Sequence, residues 1–157
     1  MKIEEIMTRS VATCRTQDTL STASQKMWDH DCGVLPIVGD DGRLVGIITD
    51  RDVCMAAWSK GQRLDAIRIE EAMAKQVFCA TPDQDLDAAE TLMAEKQVRR
   101  IPIVDADNKP IGILSMNDIA REVKPPHGSG NGMSRAMRTL AAICLPRPRA
   151  KQRATAA

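Results

Sequence analysis

The sequence predicts an α/β protein of the α+β type, built from two tandem β-α-β-β-α units that pack about a pseudo-twofold axis. The first observation is an internal repeat, because residues 3–54 align with residues 69–120 at a constant offset of 66 positions. The second is the spacing of apolar residues within each copy, which is typical of strands in some segments and of helices in others. A tandem duplication implies that a site in one copy has a counterpart in the other.

Identical residues recur along the whole repeat, and the densest match is a tripeptide. Pro36-Ile37-Val38 recurs as Pro102-Ile103-Val104, Gly46-Ile47 recurs as Gly112-Ile113, and Asp52 recurs as Asp118. Positions that recur in both copies, and that packing alone does not explain, are the first candidates for a functional site.

The first copy, residues 1–60, is predicted to run strand, helix, strand, strand, helix. Its first helix begins at Asp18 or Thr19, because Leu20, Ala23 and Met27 follow the i, i+3, i+7 spacing of one buried face. Gly42 can adopt the positive φ that a hairpin turn requires. The other predicted elements are strands at 11–14, 35–38 and 44–48, and a helix at 50–58.

The second copy, residues 61–124, is predicted to repeat this order. Leu86, Ala89, Leu92 and Met93 form one apolar face of its first helix. Its second helix ends before Pro125-Pro126, because proline cannot continue a helix. The predicted elements are a strand at 77–79, a helix at 83–96, strands at 101–104 and 111–114, and a helix at 117–123.

The third predicted region is a basic tail, residues 125–157. Proline and glycine predict a flexible joint at 125–132, and apolar residues from Met133 to Cys144 fall at helical spacing before a basic end that is predicted to be disordered. Residues 121–157 hold 8 Lys/Arg and one acid, whereas residues 1–120 hold 14 Lys/Arg and 20 Asp/Glu. The basic charge leaves nucleic-acid association open as an alternative, although the tail has no aromatic residue on which bases could stack.

Composition argues against several other classes. The chain lacks the ~20-residue apolar run of a membrane span and the apolar core of a signal peptide, so a cytoplasmic location is predicted. Five cysteines without a CxxC pair, and only two histidines, predict no metal site and fit a reducing compartment. We predict no enzymatic activity, because no Ser/His/acid or Cys/His arrangement is visible.

A hydroxyl residue, two further residues and an aspartate follow the last predicted strand of each copy. These segments are Thr49-Asp50-Arg51-Asp52 and Ser115-Met116-Asn117-Asp118. Capping boxes would account for both. The same geometry could also bind a nucleotide, since a helix N-terminus favours phosphate, an aspartate can accept hydrogen bonds from a ribose diol, and Arg51 adds a cation in the first copy only.

The combined pattern resembles a pair of CBS domains, also called a Bateman module. The resemblance covers residues 1 to about 124. It is carried by Gly46–Asp52 and Gly112–Asp118, by the segments at 34–38 and 100–104, and by Ile6-Met7 with its looser echo Ala72-Met73. It implies a regulatory module that binds an adenosyl compound (AMP, ADP, ATP or S-adenosylmethionine) in clefts between the two copies, and that pairs into a flat homodimer.

The resemblance also implies the residues that would line those clefts. Aspartates would hold ribose, Ser/Thr residues would approach phosphate, and residues at the first strand end and the apolar-Pro segment would enclose adenine. In this chain the ligand-binding positions are Cys14, Thr16, Val34, Pro36, Thr49, Arg51, Asp52, Ala80, Pro82, Arg100, Pro102, Ser115 and Asp118. Because Arg51 has no counterpart, the Thr49/Asp52 cleft is favoured for phosphorylated ligands, although Arg99 and Arg100 could serve either cleft.

The sequence thus predicts a stand-alone regulatory protein that senses an adenosyl ligand and signals to an unknown protein partner. No cofactor is expected apart from this regulatory ligand. The alternatives are a ligand-free structural or interaction module, and nucleic-acid association through the tail.

Overall fold

A computed structural model describes residues 1–122 of the chain. The predicted joint, amphipathic helix and basic tail at 125–157 lie outside the described residues. The helices are α1 (Leu20–Asp29), α2 (Asp50–Lys60), α3 (Leu86–Lys96) and α4 (Met116–Glu122), and the strands are β1 (Thr8–Arg9), β2 (Cys14–Arg15), β3 (Val34–Val38), β4 (Leu44–Thr49), β5 (Arg100–Val104) and β6 (Pro110–Ser115). The mixed α/β class is confirmed, and none of the helices described is both long enough and apolar enough to cross a membrane.

The chain divides into two compact units after Leu114. The first unit contains α1, α2, α3 and a three-stranded sheet in the order β2-β3-β4. It also contains a second three-stranded sheet in the order β1-β6-β5, except for Ser115, the last residue of β6. The described part of the second unit consists of Ser115 and α4.

Helices α1 and α3 bury the faces that their spacing predicts. Leu20, Ala23 and Met27 are buried on α1, whose N-cap Thr19 accepts a hydrogen bond from the Thr22 backbone N–H at 3.3 Å. The corresponding face of α3 is Leu86, Ala89 and Met93, with Leu92 half-buried beside it. Helix α3 begins later than the predicted residue 83, because Asp85 keeps an extended backbone at the N-cap.

The N-terminal segments of the two copies differ most from the predicted strands. Residues 77–79 form no strand, and only Ala80 makes an isolated parallel bridge to Ile103. The predicted strand at 11–14 is reduced to Cys14–Arg15. An unpredicted strand, β1, instead pairs antiparallel with β6, where Thr8 faces Ile113.

This unpredicted pairing is one half of a reciprocal exchange between the copies. Ala74, which is 66 positions after Thr8, pairs antiparallel with Ile47 of β4. The N-terminal segment of each copy therefore pairs with a strand of the other copy. Three pairs of backbone hydrogen bonds follow the same offset of 66 positions. Ile3 N donates to Gln84 O as Ile69 N donates to Asp18 O, and Glu4 N donates to Pro82 O as Glu70 N donates to Thr16 O. In the third pair, Leu86 N donates to Met1 O as Leu20 N donates to Ile67 O.

The exchange closes the hydrophobic core as well as the sheets. Ile67 and Ile69 are fully buried in the core cluster of the first copy, together with Leu35, Ile37 and Ile48. Ile3, the counterpart of Ile69, is also 0% exposed. The N-terminal segment of each copy thus contributes a fully buried isoleucine, and the one from the second copy packs in the core of the first.

The exchange also explains why glycine recurs before the last strand residues of each copy. A Cβ on Gly46 would lie 2.6 Å from Met73 Sδ and 3.1 Å from the Ala74 carbonyl oxygen. A Cβ on Gly112 would lie 2.9 Å from both Met7 Sδ and the Thr8 carbonyl oxygen. Glycine allows the exchanged segment to approach the strand closely, so this part of the recurring motif serves packing.

Replacing Gly46 with alanine is expected to lower the free energy of unfolding by about 1–3 kcal/mol, because the added methyl group overpacks the strand against Met73 and a backbone carbonyl. Urea denaturation followed by circular dichroism measures the loss. Gly39→Ala is the matched control, since its Cβ would meet only side-chain atoms at 3.2 Å and 3.5 Å. Equal stability of the Gly46→Ala and Gly39→Ala variants would contradict this account.

Candidate functional site

A cavity of about 450 Å³ lies within the first unit and is lined by residues of both copies. Its volume falls in the range typical of sites for small organic ligands. From the first copy the lining residues are Val34, Ile47, Thr49, Asp50 and Arg51, and from the second they are Ala74, Gln76, Val77, Phe78, Gln97, Val98, Arg99 and Arg100.

Thr49 is held at the cavity by the junction between β4 and α2. It is the last residue of the strand and the N-cap of the helix, and its Oγ1 accepts from Asp52 N at 3.3 Å. Asp52 Oδ2 in turn accepts from Thr49 N at 2.8 Å and from Thr49 Oγ1 at 2.7 Å. The capping box predicted from the sequence is therefore present, and it fixes the Thr49 side chain at the end of β4.

The first backbone N–H groups of α2 are all used within the protein. Asp50 N donates to Gly33 O at 3.3 Å, Arg51 N donates to the Asp50 carboxylate at 2.8 Å, and Asp52 N donates to Thr49. The sequence alone predicts that these groups are open to phosphate, which they are not. Any anion at this site must rely on side-chain donors instead.

Three arginines and a single aspartate carry the charge of the lining. Arg51, Arg99 and Arg100 are exposed, and none of the three forms an ion pair with a carboxylate of residues 1–122. With Asp50 the formal balance is three positive charges against one negative charge. The cavity is therefore electropositive, and its guanidinium groups retain their hydrogen-bonding capacity for an anionic ligand.

Part of the cavity lining is apolar. Val34 is buried at the start of β3, while Ile47, Val77 and Phe78 are half-buried. Lys96 Nζ lies 5.4 Å from the centroid of the Phe78 ring, which is within cation–π range. The lining thus combines aromatic and aliphatic side chains with three exposed arginines, Arg51, Arg99 and Arg100, which we call the cationic rim.

Cys32 and Gly33 lie next to this lining. A Cβ on Gly33 would lie 2.9 Å from Asp50 Oδ2, so glycine leaves room for that carboxylate. Burial raises the pKa of the Cys32 thiol, while the Val34 backbone and the charge of Arg100 oppose the shift. The thiol is therefore neutral at pH 7 and adds no negative charge to the electropositive rim.

Four of the predicted ligand-binding residues meet at this cavity: Val34, Thr49, Arg51 and Arg100. Asp52 does not line it, although its carboxylate is bound directly to Thr49. The remaining predicted positions lie elsewhere, and their role in binding stays a prediction.

The predicted adenine-enclosing residues are used mainly in packing. Pro36 and Pro102 are fully buried in β3 and β5, and Cys14 is 1% exposed in the core of the first copy. Burial also raises the pKa of the Cys14 thiol. Ala80 is buried and bridges to β5.

Thr16 and Pro82 are 66 positions apart and take part in the exchange of segments. Their carbonyl oxygens accept from Glu70 N at 3.2 Å and from Glu4 N at 3.1 Å. Neither residue is among those that line the cavity.

Ser115 and Asp118 lie in the second unit and form the counterpart of the Thr49/Asp52 capping box. Asp118 Oδ2 accepts from Ser115 N at 2.8 Å and from Ser115 Oγ at 2.5 Å. Arg121 forms an ion pair with Asp118 Oδ1, and Asp118 is only 3% exposed. The two boxes have the same local geometry but different surroundings.

The sequence gives no reason to place Gln76, Val77, Phe78, Gln97 or Val98 at this site, and it leaves Arg99 open to either cleft. One signal could have drawn attention to the missed residues, since Phe78 is the only phenylalanine of the chain. Their position on the same cavity as Thr49 depends on contacts between the two copies, which local spacing does not encode.

Metal binding has no support in this part of the molecule. Among residues 1–122, no group of three or more His, Cys, Asp or Glu side chains is placed to hold an ion. The lining described above offers guanidinium, hydroxyl, amide and apolar groups with one carboxylate, which suits an organic anion better than a cation.

Comparison with known proteins decides the family. The sequence profile of the CBS domain matches residues 3–59 and 69–125, which are the two copies defined by the repeat. This chain belongs to the CBS domain family. The resemblance inferred from the strand-end motifs is therefore confirmed.

Curated relatives include both small CBS proteins and parts of enzymes. The chain is 32% identical over 132 residues to the CBS domain-containing protein YhcV of Bacillus subtilis, covering 84% of this chain and 92% of YhcV. It is 34% identical over 145 residues to inosine-5'-monophosphate dehydrogenase of Methanocaldococcus jannaschii, covering 92% of this chain but 28% of the enzyme. The match to the enzyme thus concerns a minor part of its length.

Solved structures share the fold. Hypoxic Response Protein I with two coordinated zinc ions aligns with a TM-score of 0.70 at 31% identity, over 79% of this CBS chain and all of that one. The CBS domain pair of MJ0100, in complex with 5'-methylthioadenosine and S-adenosyl-L-methionine, aligns with a TM-score of 0.69 at 28% identity, over 77% of this chain and 98% of that one. CBSX2 in complex with AMP aligns with a TM-score of 0.66 at 25% identity, over 76% of this chain and 93% of that one.

Proposed function

We propose that this CBS pair is a regulatory module that binds an adenine nucleotide in the cavity between Thr49 and Arg100. The observation that carries the proposal is one cavity of about 450 Å³ whose lining combines apolar side chains with three arginines. None of these arginines forms an ion pair within residues 1–122. The two copies contribute different parts of this lining, so a ligand would contact both.

The phosphate groups would be bound by side chains at the cationic rim. Arg51, Arg99 and Arg100 can each donate charge-assisted hydrogen bonds to phosphate oxygens, whereas the Thr49 hydroxyl already donates to Asp52 Oδ2. An electropositive rim favours AMP, ADP and ATP over S-adenosylmethionine, which carries a sulfonium cation.

The adenosine part would occupy the apolar side of the cavity. Phe78 offers an aromatic face, while Val34, Ile47 and Val77 offer aliphatic contacts. Asp52 Oδ1 accepts no hydrogen bond from residues 1–122, whereas Oδ2 is used by Thr49. We expect a ribose hydroxyl to donate to Oδ1, because the same carboxylate is bound to Thr49, which lines the cavity.

Structural relatives support this ligand class, because MJ0100 is described in complex with adenosyl compounds and CBSX2 in complex with AMP. Regulation follows from the position of the cavity. A nucleotide that prefers one arrangement of the segments around it would shift the population toward that arrangement. The module would pass this state to a protein partner without catalysing a reaction, and we propose a cytoplasmic homodimer as the working form.

Thermal unfolding with a panel of ligands tests the proposal. ATP, ADP and AMP at about 100 times their Kd are expected to stabilise the folded chain by about 2.7 kcal/mol, which raises Tm by several degrees. Adenosine, which lacks phosphate, and S-adenosylmethionine are expected to raise Tm less. GTP serves as the control for the base.

The panel also defines what would refute the proposal. A flat response to every adenosyl compound at millimolar concentration would exclude a nucleotide sensor, and equal shifts from adenosine and ATP would exclude the role of the arginines.

A second candidate is an interaction module without a ligand. Trp28 on α1 and Met55 and Trp58 on α2 are 57%, 50% and 78% exposed. Large apolar side chains in contact with water are typical of surfaces that bind proteins. This function would be favoured by a flat response in the ligand panel.

A further inference from the structure

The two capping boxes of this chain have equal internal hydrogen bonds, and the second box has in addition an ion pair to its aspartate. In both boxes the aspartate Oδ2 accepts from the backbone N–H and the hydroxyl of the capping residue, at 2.5–2.8 Å. The other oxygen, Oδ1, is the atom that would be left to bind a ligand. Its environment therefore decides whether the aspartate can recognise ribose.

Arg121 occupies this oxygen in the second copy. Its guanidinium group forms an ion pair with Asp118 Oδ1, three residues earlier on α4. Asp118 is 3% exposed and the Arg121 side chain is 29% exposed, so the pair is shielded from water. A ribose diol offers neutral donors, which cannot replace a charge-assisted hydrogen bond from arginine without loss.

The first copy has no equivalent of this pair. The residue 66 positions before Arg121 is Met55, whose side chain is 50% exposed. Asp52 Oδ1 accordingly accepts no hydrogen bond from the part of the chain that the structure describes. The duplication has kept both capping boxes while changing the residue one turn later.

We infer that this chain binds one nucleotide and not two, because Arg121 occupies the carboxylate that would recognise the second ribose. Asp118 is then a structural residue that holds the start of α4, and Asp52 is the single ribose-binding carboxylate. The residue at positions 55 and 121 determines which copy binds. This inference rests on the proposed function, since it concerns how many nucleotides the module takes.

Isothermal titration calorimetry with ATP tests this on the full chain. Wild type is expected to bind one ATP per chain, and Arg121→Met to bind two. Asp52→Asn is expected to lose binding, whereas Asp118→Asn is expected to retain one ATP with unchanged affinity. Circular dichroism and Tm of each variant show whether it is folded.

The reciprocal variant Met55→Arg does not depend on the buried pair. It places an arginine at an exposed position three residues after Asp52, as Arg121 follows Asp118. We expect it to weaken ATP binding about tenfold or more, because the arginine competes for Asp52 Oδ1. Met55→Lys is the control, because lysine has the same charge as arginine but lacks its fork of donors. Comparing the ATP affinities of the two variants shows whether the fork or the charge alone is responsible.

The outcomes distinguish this inference from the function on which it rests. Two ATP per wild-type chain would overturn the inference and leave the nucleotide sensor intact. Wild-type affinity in Met55→Arg, or a single ATP in folded Arg121→Met, would overturn the role of the arginine. Absence of heat with ATP, ADP and AMP would instead refute the proposed function.

Discussion

Replacing Arg99 and Arg100 together with alanine is expected to weaken ATP binding by about 10²- to 10⁴-fold. Both guanidinium groups line the cavity, and neither forms an ion pair within residues 1–122. A hydrogen bond to a charged group contributes about 1.5–3 kcal/mol, so the loss of two removes about 3–6 kcal/mol of binding free energy. Titration calorimetry at fixed ionic strength measures the change.

The same variant should leave the stability of the ligand-free protein nearly unchanged. Arginines that are exposed and pair with no described carboxylate contribute little to folding, so the free energy of unfolding should change by less than about 0.5 kcal/mol. Loss of binding without loss of stability is the expected signature of a ligand site.

Arg15→Ala with Arg43→Ala is the matched control. It also removes two positive charges, but from exposed arginines that do not line the cavity. Arg15 Nη1 lies 3.8 Å from Asp40 Oδ1, and Arg43 Nε lies 3.6 Å from Asp41 Oδ2. The control should bind ATP with nearly wild-type affinity. Equal weakening in both double variants would indicate a general charge effect, and no weakening in either would refute the arginine rim as the phosphate site.

Replacing Ile3 with alanine is expected to lower the free energy of unfolding by about 2–5 kcal/mol, although the residue is third in the chain. Its side chain is fully buried, and its backbone N–H donates to Gln84 O at 3.1 Å. The substitution removes buried methyl and methylene groups and leaves a cavity where the N-terminal segment packs on the second copy. This is a large part of the 5–15 kcal/mol that stabilises a typical domain.

Urea denaturation of three variants tests the exchange of segments. Ile69→Ala is expected to lose a similar amount, because Ile69 occupies the equivalent position in the core of the first copy. Glu4→Ala, next to Ile3 and exposed, should change stability by less than about 0.5 kcal/mol. If Ile3→Ala were as stable as Glu4→Ala, the N-terminal segment would not hold the second sheet.

Local features were predictable from the sequence because they depend on residues a few positions apart. The buried face of α1 follows from the spacing of Leu20, Ala23 and Met27, and the capping box of α2 follows from Thr49 and Asp52. The β3–β4 hairpin follows from the turn at Gly42, whose φ is +78°. Each involves short-range contacts that residue spacing encodes directly.

The strand predicted at 77–79 was wrong for a reason that lies outside local spacing. Apolar residues there have the composition of a strand, yet Val77 and Phe78 line the cavity and only Ala80 bridges to β5. The strand partner that continues the neighbouring sheet is instead Ala74, which pairs with Ile47. Propensity alone cannot specify which segment takes a sheet edge when two candidates lie a few residues apart.

By itself, the sequence determined that the chain is a duplicated α/β unit of the CBS family with a capping box at the end of each copy. The tertiary structure decided which residues meet those boxes. It places Phe78, Arg99 and Arg100 around the same cavity as Thr49, and it places Arg121 on Asp118. The physical reason is that the repeat records equivalence between copies, whereas a site depends on contacts between residues far apart in the chain and on the few positions where the copies differ.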